Sequence, residues 1–464
     1  MNVCIKRILL SLLAGVLVFN AACSWGQPAS VEAPEIVVTV DDPSENGATE
    51  EPAAENGSET EQEPVEEVPA DTVVEETQEL SSGETEQEAV SEETDTEESN
   101  LYGEKCDPVT VHGIYVSGNK AGSSGMASLI TLVEETELNA MVIDVKNDNG
   151  KITYKMDSPL VNEMGSASNL IGDLPALIEE CHSKDIYLIA RIVTFCDDYA
   201  TEKHPEWAVK TKDGSVYQDN RDLGWLNPYQ RDCWAYILEI AQQAALAGFD
   251  EVQFDYIRLT TDKKMKDLDY GEESETVTSQ EIISEFVGYL MEGLEPYGVY
   301  VSADVYGTII GSETDRKNVG QNYVEMSSML DYISPMVYPS HYAGGNFGLE
   351  IPDQHPYECI LGAMQLSVSE LSVLEGEHVA GVRPWLQDFT ATWVKGHIQY
   401  GAEEVREQIQ AVYDAGYSEW ILWNSSNVYS ADALEPAETQ EDPATESAED
   451  PAAQGESTAE TGAE

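Results

Sequence analysis

The sequence of 464 residues predicts an α/β protein, a (β/α)₈ TIM barrel forming a single domain between disordered acidic segments. Eight strand-like runs alternate with helical patterns between residues 111 and 424. This alternation, in a domain of about 330 residues, is typical of a closed parallel barrel rather than an open doubly wound sheet. No glycine-rich phosphate-binding loop follows the first strand, which disfavours a nucleotide-binding alternative.

The runs are rich in Val, Ile, Tyr and Phe, as strands are. Strands are predicted at residues 111–117, 140–146, 186–195, 251–259, 300–306, 332–338, 379–387 and 419–424. Helices are predicted at residues 126–137, 170–183, 229–246, 279–294, 323–329, 356–373 and 402–415. Asn227 is expected to cap the third helix with Pro228 at its first position, and Gly248 and Gly416 to follow helix ends.

The segments that flank the domain are distinguished by their charge. The chain has 88 acidic and 23 basic residues, a formal net charge of −65. Residues 27–100 contain 25 of the acidic residues, residues 432–464 contain 11, and neither segment has Lys or Arg. Such compositions cannot bury enough apolar surface to offset the entropy of ordering. We therefore expect a disordered linker over residues 23–103, the barrel over 104–431 and a disordered tail over 432–464.

The N-terminus carries an export pattern. Lys6 and Arg7 precede an apolar run, residues 8–19, whose length suits a signal-peptide core better than a membrane span. Small residues before Cys23 resemble a lipoprotein cleavage site, although Asn20 departs from the usual aliphatic residue. The prediction is a signal peptide over residues 1–22 and an extracellular, cell-surface domain anchored in the membrane through lipidated Cys23. Plain secretion is the alternative.

The fourth strand places a carboxylate in the barrel lumen. Val252, Phe254 and Tyr256 alternate with Gln253, Asp255 and Ile257, so one set faces the helices and the other the interior. This alternation puts Asp255 inside, near the strand's C-terminal end, where barrel enzymes keep their chemistry. Tyr256 is expected to point outward into the core.

A longer pattern around this strand resembles a known family. Phe254-Asp255-Tyr256-Ile257-Arg258, preceded by Trp225-Leu226-Asn227-Pro228, is similar to the signature of a bacterial family of glycoside-hydrolase-like barrels, formerly a domain of unknown function. The resemblance covers residues 111–427. It implies a barrel distantly similar to α-amylases and α-galactosidases, with a carboxylate at the end of the fourth strand as nucleophile. It implies no particular substrate.

Glycoside hydrolysis needs two carboxyl groups, about 5 Å apart in retaining enzymes and about 6.5–9.5 Å apart in inverting ones. Asp255 and Asp304 occupy corresponding depths on neighbouring strands, which lie about 4.8 Å apart. We therefore predict a retaining enzyme with Asp255 as nucleophile and Asp304 as general acid/base. α-Amylase-like enzymes usually carry a Glu on the fifth strand. α-Galactosidase-like enzymes take their acid from the sixth, which here offers only Ser334, Met336 and Tyr338.

Other polar and aromatic residues near the predicted strand ends are expected to bind substrate. One of them, Trp225, lies on the long connection 196–226, which we interpret as a wall of the cleft. Arg258 could instead pair with Asp255 or Asp144, and a barrel Trp is buried core about as often as it is a sugar platform. The predicted binding residues are Asp144, Arg191, Trp225, Gln253, Arg258, Tyr306, Tyr338, Arg383, Trp385, Gln387, Trp423 and Asn424.

Scattered histidines and the absence of Cys-x-x-Cys pairs predict no metal and no cofactor, and disfavour a metal-dependent deacetylase. Five cysteines in the domain are expected to be free thiols, although one disulfide stays open. The acidic charge disfavours nucleic acid as a partner.

Taken with the predicted export signal and the carboxylate pair, the sequence predicts a monomeric exported glycosidase acting on a cell-wall or extracellular polysaccharide or oligosaccharide. The alternative is a non-catalytic sugar-binding barrel that has lost turnover.

Overall fold

The computed structural model describes residues 102–261 and 265–437. The predicted signal peptide, the lipidation site Cys23, the linker up to residue 101 and the tail beyond residue 437 lie outside the described residues. None of the helices in the described ranges is long and apolar enough to cross a membrane.

Eight parallel strands form a closed barrel, which confirms the predicted fold class. Each strand pairs with the next one along the chain, and the last strand pairs with the first to close the sheet. The seventh strand consists of two short segments: the first pairs with the sixth strand, and the second pairs with the eighth strand and touches the sixth at Trp385. The strands are β1 (His112–Val116), β2 (Ala140–Lys146), β3 (Tyr187–Val193), β4 (Glu251–Asp255), β5 (Tyr300–Tyr306), β6 (Tyr332–Met336), β7 (Gly381–Val382 and Trp385–Gln387) and β8 (Trp420–Trp423).

Helices connect the strands and cover the barrel. Two of the three longest begin with recognisable signals: the helix Ser279–Leu294 has a reciprocal capping box between Thr278 and Glu281, and the helix Pro356–Leu371 begins with a proline. The helices are α1 (Gly118–Ala121), α2 (Met126–Glu135), α3 (Pro159–Met164), α4 (Leu174–His182), α5 (Asp198–Lys203), α6 (Asp232–Ala247), α7 (Ser279–Leu294), α8 (Glu313–Val319), α9 (Tyr323–Ser327), α10 (Pro356–Leu371) and α11 (Ala402–Asp414).

The predicted start of α6 was wrong. The helix begins at Asp232 rather than at Pro228, and Asn227 instead accepts a hydrogen bond from the backbone N–H of Tyr229, at 3.1 Å. That bond closes a turn of its own, because an Asn side chain can organise a short turn as readily as a helix. The helix ends as predicted at Gly248, whose φ of 108° lies in the left-handed region that glycine tolerates.

The lower half of the lumen, where the strands begin, holds a buried ion network. Arg383, which is fully buried, donates from Nη1 to both carboxylate oxygens of Glu251, at 3.0 and 2.9 Å, and from Nε to Glu419, at 2.8 Å. Hydroxyl groups of Tyr187 and Ser302 also donate to Glu251. Since Glu251 is the first residue of β4 and Asp255 the last, this network lies at the opposite end of the lumen from Asp255.

Both ends of the described chain contact this same lower end of the barrel. Tyr102 stacks on Tyr297, just before β5, with ring centroids 4.7 Å apart. At the other end, Ala437 donates its backbone N–H to Glu135, a few residues before β2, and Leu434 is buried. Residues 102–103 and 432–437, assigned from the sequence to the linker and the tail, therefore contact the barrel.

The cysteines of the domain are free thiols, and four of them are buried. They are Cys106, which is exposed, and Cys181, Cys196, Cys233 and Cys359. Burial raises the pKa of the Cys196 and Cys233 thiols above their ordinary value, so both stay protonated at neutral pH.

Candidate active site

A pocket opens at the upper end of the barrel, where the strands finish. Most of its lining side chains are among the predicted site residues, including both carboxylates; Tyr256 and Met336 are additions. The lining residues are Arg191, Asp255, Tyr256, Arg258, Asp304, Tyr306, Met336, Tyr338, Trp385 and Trp423. This is the end of a parallel barrel at which chemistry is expected.

Asp255 is the last residue of β4, and both of its carboxylate oxygens accept hydrogen bonds. Arg191 donates to Oδ2 from Nη2 at 2.6 Å and from Nε at 3.0 Å. The backbone N–H of Tyr256 donates to Oδ1 at 2.6 Å. The carboxylate is thus held in one orientation beside a cation.

Arg191, on β3, is shared by three carboxylates. Besides Asp255 it binds Asp144 from Nη1 at 2.7 Å and Asp148 from Nη2 at 3.0 Å, while the hydroxyl of Tyr115 donates to Asp144 at 2.7 Å. Burial acts to lower the pKa of the guanidinium, but the carboxylates outweigh it and hold the pKa well above its ordinary value. Arg191 is therefore a permanent positive charge in the lining of the pocket.

Asp304, on β5, has a different environment. Its Oδ1 accepts a hydrogen bond at 2.6 Å from the neutral indole of Trp385, and its side chain is buried. Burial and the charge of Asp255 raise the pKa of Asp304 well above its ordinary value. Burial also raises the pKa of Asp255, but there the adjacent Arg191 acts in the opposite direction. Of the two carboxyl groups, Asp304 is therefore the better placed to hold a proton.

Tyr256 lines the pocket, contrary to the expectation that it points only outward. The strand ends at Asp255, and Tyr256 has a φ of 51°, in the left-handed region, so the alternation of β4 does not continue through it. Arg221 supports the ring from outside, with its guanidinium carbon 5.6 Å from the ring centroid and Nη1 donating to the hydroxyl at 3.3 Å.

Arg258 lies among three aromatic rings. Its guanidinium carbon is 4.6 Å from the ring centroid of Tyr306, 4.9 Å from that of Tyr256 and 5.0 Å from that of Trp225. Trp225 is not a lining residue. It packs behind Arg258, and its indole N–H is bound by Asp219 at 3.1 Å, so the predicted wall residue supports the pocket from behind.

Two tryptophans form an aromatic side of the pocket. Trp423 stacks on Tyr115 at 4.2 Å between centroids, and Trp385 meets Trp423 edge to face at 5.5 Å. The guanidinium carbon of Arg191 lies 5.5 Å from the Trp423 ring. Rings held this way present a fixed apolar surface next to the carboxylates.

Three residues predicted to bind substrate lie within the barrel instead. Arg383 belongs to the lower ion network, and Gln253 lies one layer below Asp255, where its Nε2 donates to Ser334 at 3.2 Å. Asp144 is paired in register with Arg191 on the neighbouring strand and binds it without lining the pocket. All three face inward as predicted, but Arg383 and Gln253 lie too deep in the lumen to reach the pocket, and the carboxylate of Asp144 is bound by Arg191 and Tyr115.

Two further predicted binding residues organise the rim. Gln387 donates from Nε2 to Asp353 at 3.2 Å and to the carbonyl of Phe389 at 3.0 Å. Asn424 donates to the carbonyl of Asp388 at 2.6 Å and accepts from the backbone of Ser426. Neither residue lines the pocket, because both use their amides to hold the connections that follow β7 and β8.

The sequence interpretation missed Tyr115 and Asp148, which build the Arg191 cluster. Tyr115 could have been found, because it alternates with Ile114 and Val116 on β1 and so faces inward with Asp144. Asp148 follows β2 in a turn, and a turn residue carries no periodic signal that predicts its direction.

Comparison with known proteins identifies the family of the barrel. The closed parallel barrel with two carboxylates in its upper pocket is a glycosyl hydrolase-like domain. A family model described as "Putative glycosyl hydrolase domain" matches residues 113–429, more than half of the chain, and the chain belongs to that family. This match confirms the resemblance predicted from the sequence. No curated protein matches the chain.

Several solved structures are similar. A hypothetical protein from Ruminiclostridium thermocellum is 37% identical, with 41% of this chain and 97% of that one covered and a TM-score of 0.39. The glycoside hydrolase domain of PgaB (BpsB) from Bordetella bronchiseptica is 14% identical, with 71% of this chain and 99% of that one covered and a TM-score of 0.47. The α-galactosidase TtGalA from Thermus thermophilus, in complex with stachyose, is 11% identical, with 69% of this chain and 62% of that one covered and a TM-score of 0.43.

Proposed function

We propose that this protein is a retaining glycosidase that uses Asp255 as nucleophile and Asp304 as general acid/base. The observation that carries the proposal is the unequal environment of two carboxyl groups facing one pocket. Asp255 is bound by the cation Arg191, whereas Asp304 is bound by a neutral indole. A pair of carboxyl groups whose environments separate their proton affinities supplies the acid and the nucleophile that glycoside cleavage needs.

In the first step, Asp304 donates its proton to the glycosidic oxygen while a carboxylate oxygen of Asp255 attacks the anomeric carbon. The bond to the leaving group breaks and a covalent glycosyl-enzyme forms. Asp304, now ionised, then takes a proton from a water molecule that attacks the same carbon and releases Asp255. Each carboxyl group returns to its starting state, so the cycle needs no cofactor.

Arg191 supports the nucleophile by orientation and charge. Its two bonds to Oδ2 fix the Asp255 carboxylate, and the backbone N–H of Tyr256 fixes the other oxygen. Asp144 and Asp148 bind the same guanidinium and help to keep the pKa of Arg191 high. The charge of Arg191 in turn opposes the effect of burial on the pKa of Asp255, which favours the ionised carboxylate that attacks.

We also propose export and a lipid anchor at Cys23, with a cell-wall or extracellular polysaccharide as substrate. The path of the chain supports this arrangement. Tyr102 and Ala437 both contact the end of the barrel opposite the pocket. A tether that reaches the domain at that end leaves the pocket unobstructed.

The test is hydrolysis of a panel of nitrophenyl α- and β-glycosides by the full-length protein and by Asp255→Asn. Asp388→Asn is the matched control, since Asp388 is a buried carboxylate at a strand end that does not line the pocket. On an accepted glycoside, Asp255→Asn should lose several orders of magnitude in kcat, because it removes only the charge that forms the intermediate. The control should keep its activity.

The product anomer tests the stereochemistry. NMR of the first-formed sugar should show the anomer of the substrate, as a double displacement requires. Equal turnover by the wild type and Asp255→Asn would reject the nucleophile assignment. Sugar binding without cleavage of any glycoside would favour the alternative, a non-catalytic sugar-binding barrel.

A further inference from the structure

A row of aromatic rings leads out of the pocket along the connection between β7 and α11. Tyr338 lines the pocket, and the ring of Phe389 meets it edge to face, with centroids 5.8 Å apart. Trp393 then stacks on Phe389 with centroids 5.9 Å apart and planes inclined by 23°. The row thus runs from the pocket lining to the protein surface.

Trp393 is unusually exposed for a tryptophan. Its relative exposure is 39%, whereas five other tryptophans in the described residues are buried at 9% or less: Trp207, Trp225, Trp234, Trp385 and Trp420. Leaving a large aromatic surface in water forgoes the free energy that its burial would provide. Because Trp393 also continues the row of rings that starts at the pocket, it is placed to contact a ligand that extends out of the pocket.

The connection that carries Trp393 is braced from within. The hydroxyl of Thr390 accepts hydrogen bonds from the side chain of Gln399 at 2.9 Å and from the backbone of Tyr400 at 3.1 Å. Buried Asp353 binds the backbone N–H of Ile398 and the side chain of Gln387, which joins the connection to the end of β7. A braced loop spends little entropy on binding, which favours affinity.

We propose that Phe389 and Trp393 form a second sugar-binding position, outside the catalytic pocket, which stacks on a ring of a polymeric substrate. This inference rests on the proposed function and narrows its substrate class. The C–H face of a pyranose ring is apolar and matches an aromatic surface. Trp393 is separated from the pocket residue Tyr338 by the ring of Phe389, so a substrate that reaches Trp393 extends beyond the monosaccharide in the pocket.

The net negative charge of the barrel domain restricts the class of polymer further. Residues 104–431 contain 52 acidic and 21 basic residues, so the domain repels polyanions. The polymer that Trp393 contacts is therefore neutral or cationic, rather than a polyuronide or a phosphate-containing polymer.

The experiment is affinity electrophoresis of the full-length protein in native gels containing galactomannan, soluble starch or glycol chitosan, with polygalacturonate as the anionic comparison. The variants are Trp393→Ala and the conservative Trp393→Phe. Tyr102→Ala is the matched control, because Tyr102 is an aromatic residue 56% exposed at the opposite end of the barrel. The same wild-type protein is assayed separately for hydrolysis of the nitrophenyl glycosides.

At least one neutral or cationic polymer should retard the wild type. Trp393→Ala should raise the apparent Kd about tenfold or more, as the loss of an aromatic contact residue typically does. Trp393→Phe should keep most of the retardation, and Tyr102→Ala all of it. Retardation by polygalacturonate alone, or by none of the polymers, would overturn the inference.

Equal retardation of Trp393→Ala and the wild type would also overturn the second position, and it would leave the hydrolase proposal standing if glycosides are cleaved. Conversely, retardation that depends on Trp393, with no glycoside cleaved by the wild type, would support the second position and reject the hydrolase proposal. A defect of Tyr102→Ala as large as that of Trp393→Ala would count against the inference, because the contact would not be specific to this face.

Discussion

Arg191 places two of its nitrogen atoms within 3.0 Å of a single carboxylate oxygen of Asp255. This contact distinguishes Asp255 from Asp304, whose hydrogen-bond donor is the uncharged indole of Trp385. A cation favours the ionised form of a carboxyl group, whereas burial beside another carboxylate favours the protonated form. The two groups therefore differ in chemistry although they occupy corresponding positions on neighbouring strands.

The role of Asp304 can be tested through the leaving group. Asp304→Asn removes the proton donor but keeps an oxygen that can accept from Trp385. Glycosides with a good leaving group, such as dinitrophenol, need little protonation, so they should still form the glycosyl-enzyme, while poor leaving groups should lose roughly 10²–10⁴-fold in rate. Without a base for the second step the intermediate should accumulate, which intact-protein mass spectrometry would detect. A uniform loss across all leaving groups would contradict the assignment.

Asp304 should also make the stability of the protein depend on pH. Because its pKa is well above the ordinary value when the protein is folded, the folded chain holds a proton that the unfolded chain releases. The stabilisation from protonated Asp304 is fully present below the ordinary pKa of about 3.9 and is lost as pH rises through the raised value.

The Asn side chain of the Asp304→Asn variant is neutral at every pH, so the variant should not lose this stabilisation as the pH rises. Near pH 7 the variant should be more stable than the wild type by roughly 1 kcal/mol or more, and the difference should shrink towards about pH 4. Thermal unfolding at a series of pH values measures this, with Asp388→Asn in parallel. A variant that is less stable than the wild type at every pH would show that the carboxylate stabilises the fold in its charged form.

The sequence predicted the carboxylate pair because strand alternation is reliable inside a regular strand. Asp255 and Asp304 lie on regular β4 and β5, where inward and outward residues follow directly from the period of two. Tyr256 was misassigned because its positive φ breaks the period one residue beyond Asp255. A local change of backbone direction of this kind leaves no trace in the hydrophobic pattern.

The sequence also could not predict how deep in the barrel an inward-facing side chain lies. Arg383 and Trp385 are two residues apart and both point inward, yet Arg383 binds Glu251 at the lower end while Trp385 reaches Asp304. Their depth depends on how β7 is offset against β6 and β8, and this strand consists of two separate segments. Strand offset is a property of the closed sheet and not of any single strand.

The proposed lipid anchor at Cys23 can be tested separately from the barrel. If Cys23 is lipidated, the wild type should partition with membranes, and Cys23→Ser should appear in the medium with its barrel intact. Fractionation followed by mass spectrometry of the mature N-terminus measures this, with Cys106→Ser as the control because Cys106 is an exposed thiol of the barrel domain. Wild-type protein found wholly in the medium without lipid would favour plain secretion.

Arg383 should prove to be a structural residue. Arg383→Met leaves Glu251 fully buried without its cation, so we expect a loss of about 3–5 kcal/mol in the free energy of unfolding, measured by urea denaturation. Because Arg383 lies at the opposite end of the lumen from Asp255, the folded fraction should keep the wild-type KM for any accepted glycoside. Adding Glu251→Gln removes the stranded charge and should recover part of the stability, even though Glu419 also loses its contact with Nε. A higher KM for Arg383→Met, with little change in the free energy of unfolding, would contradict this and support the original prediction that Arg383 binds substrate.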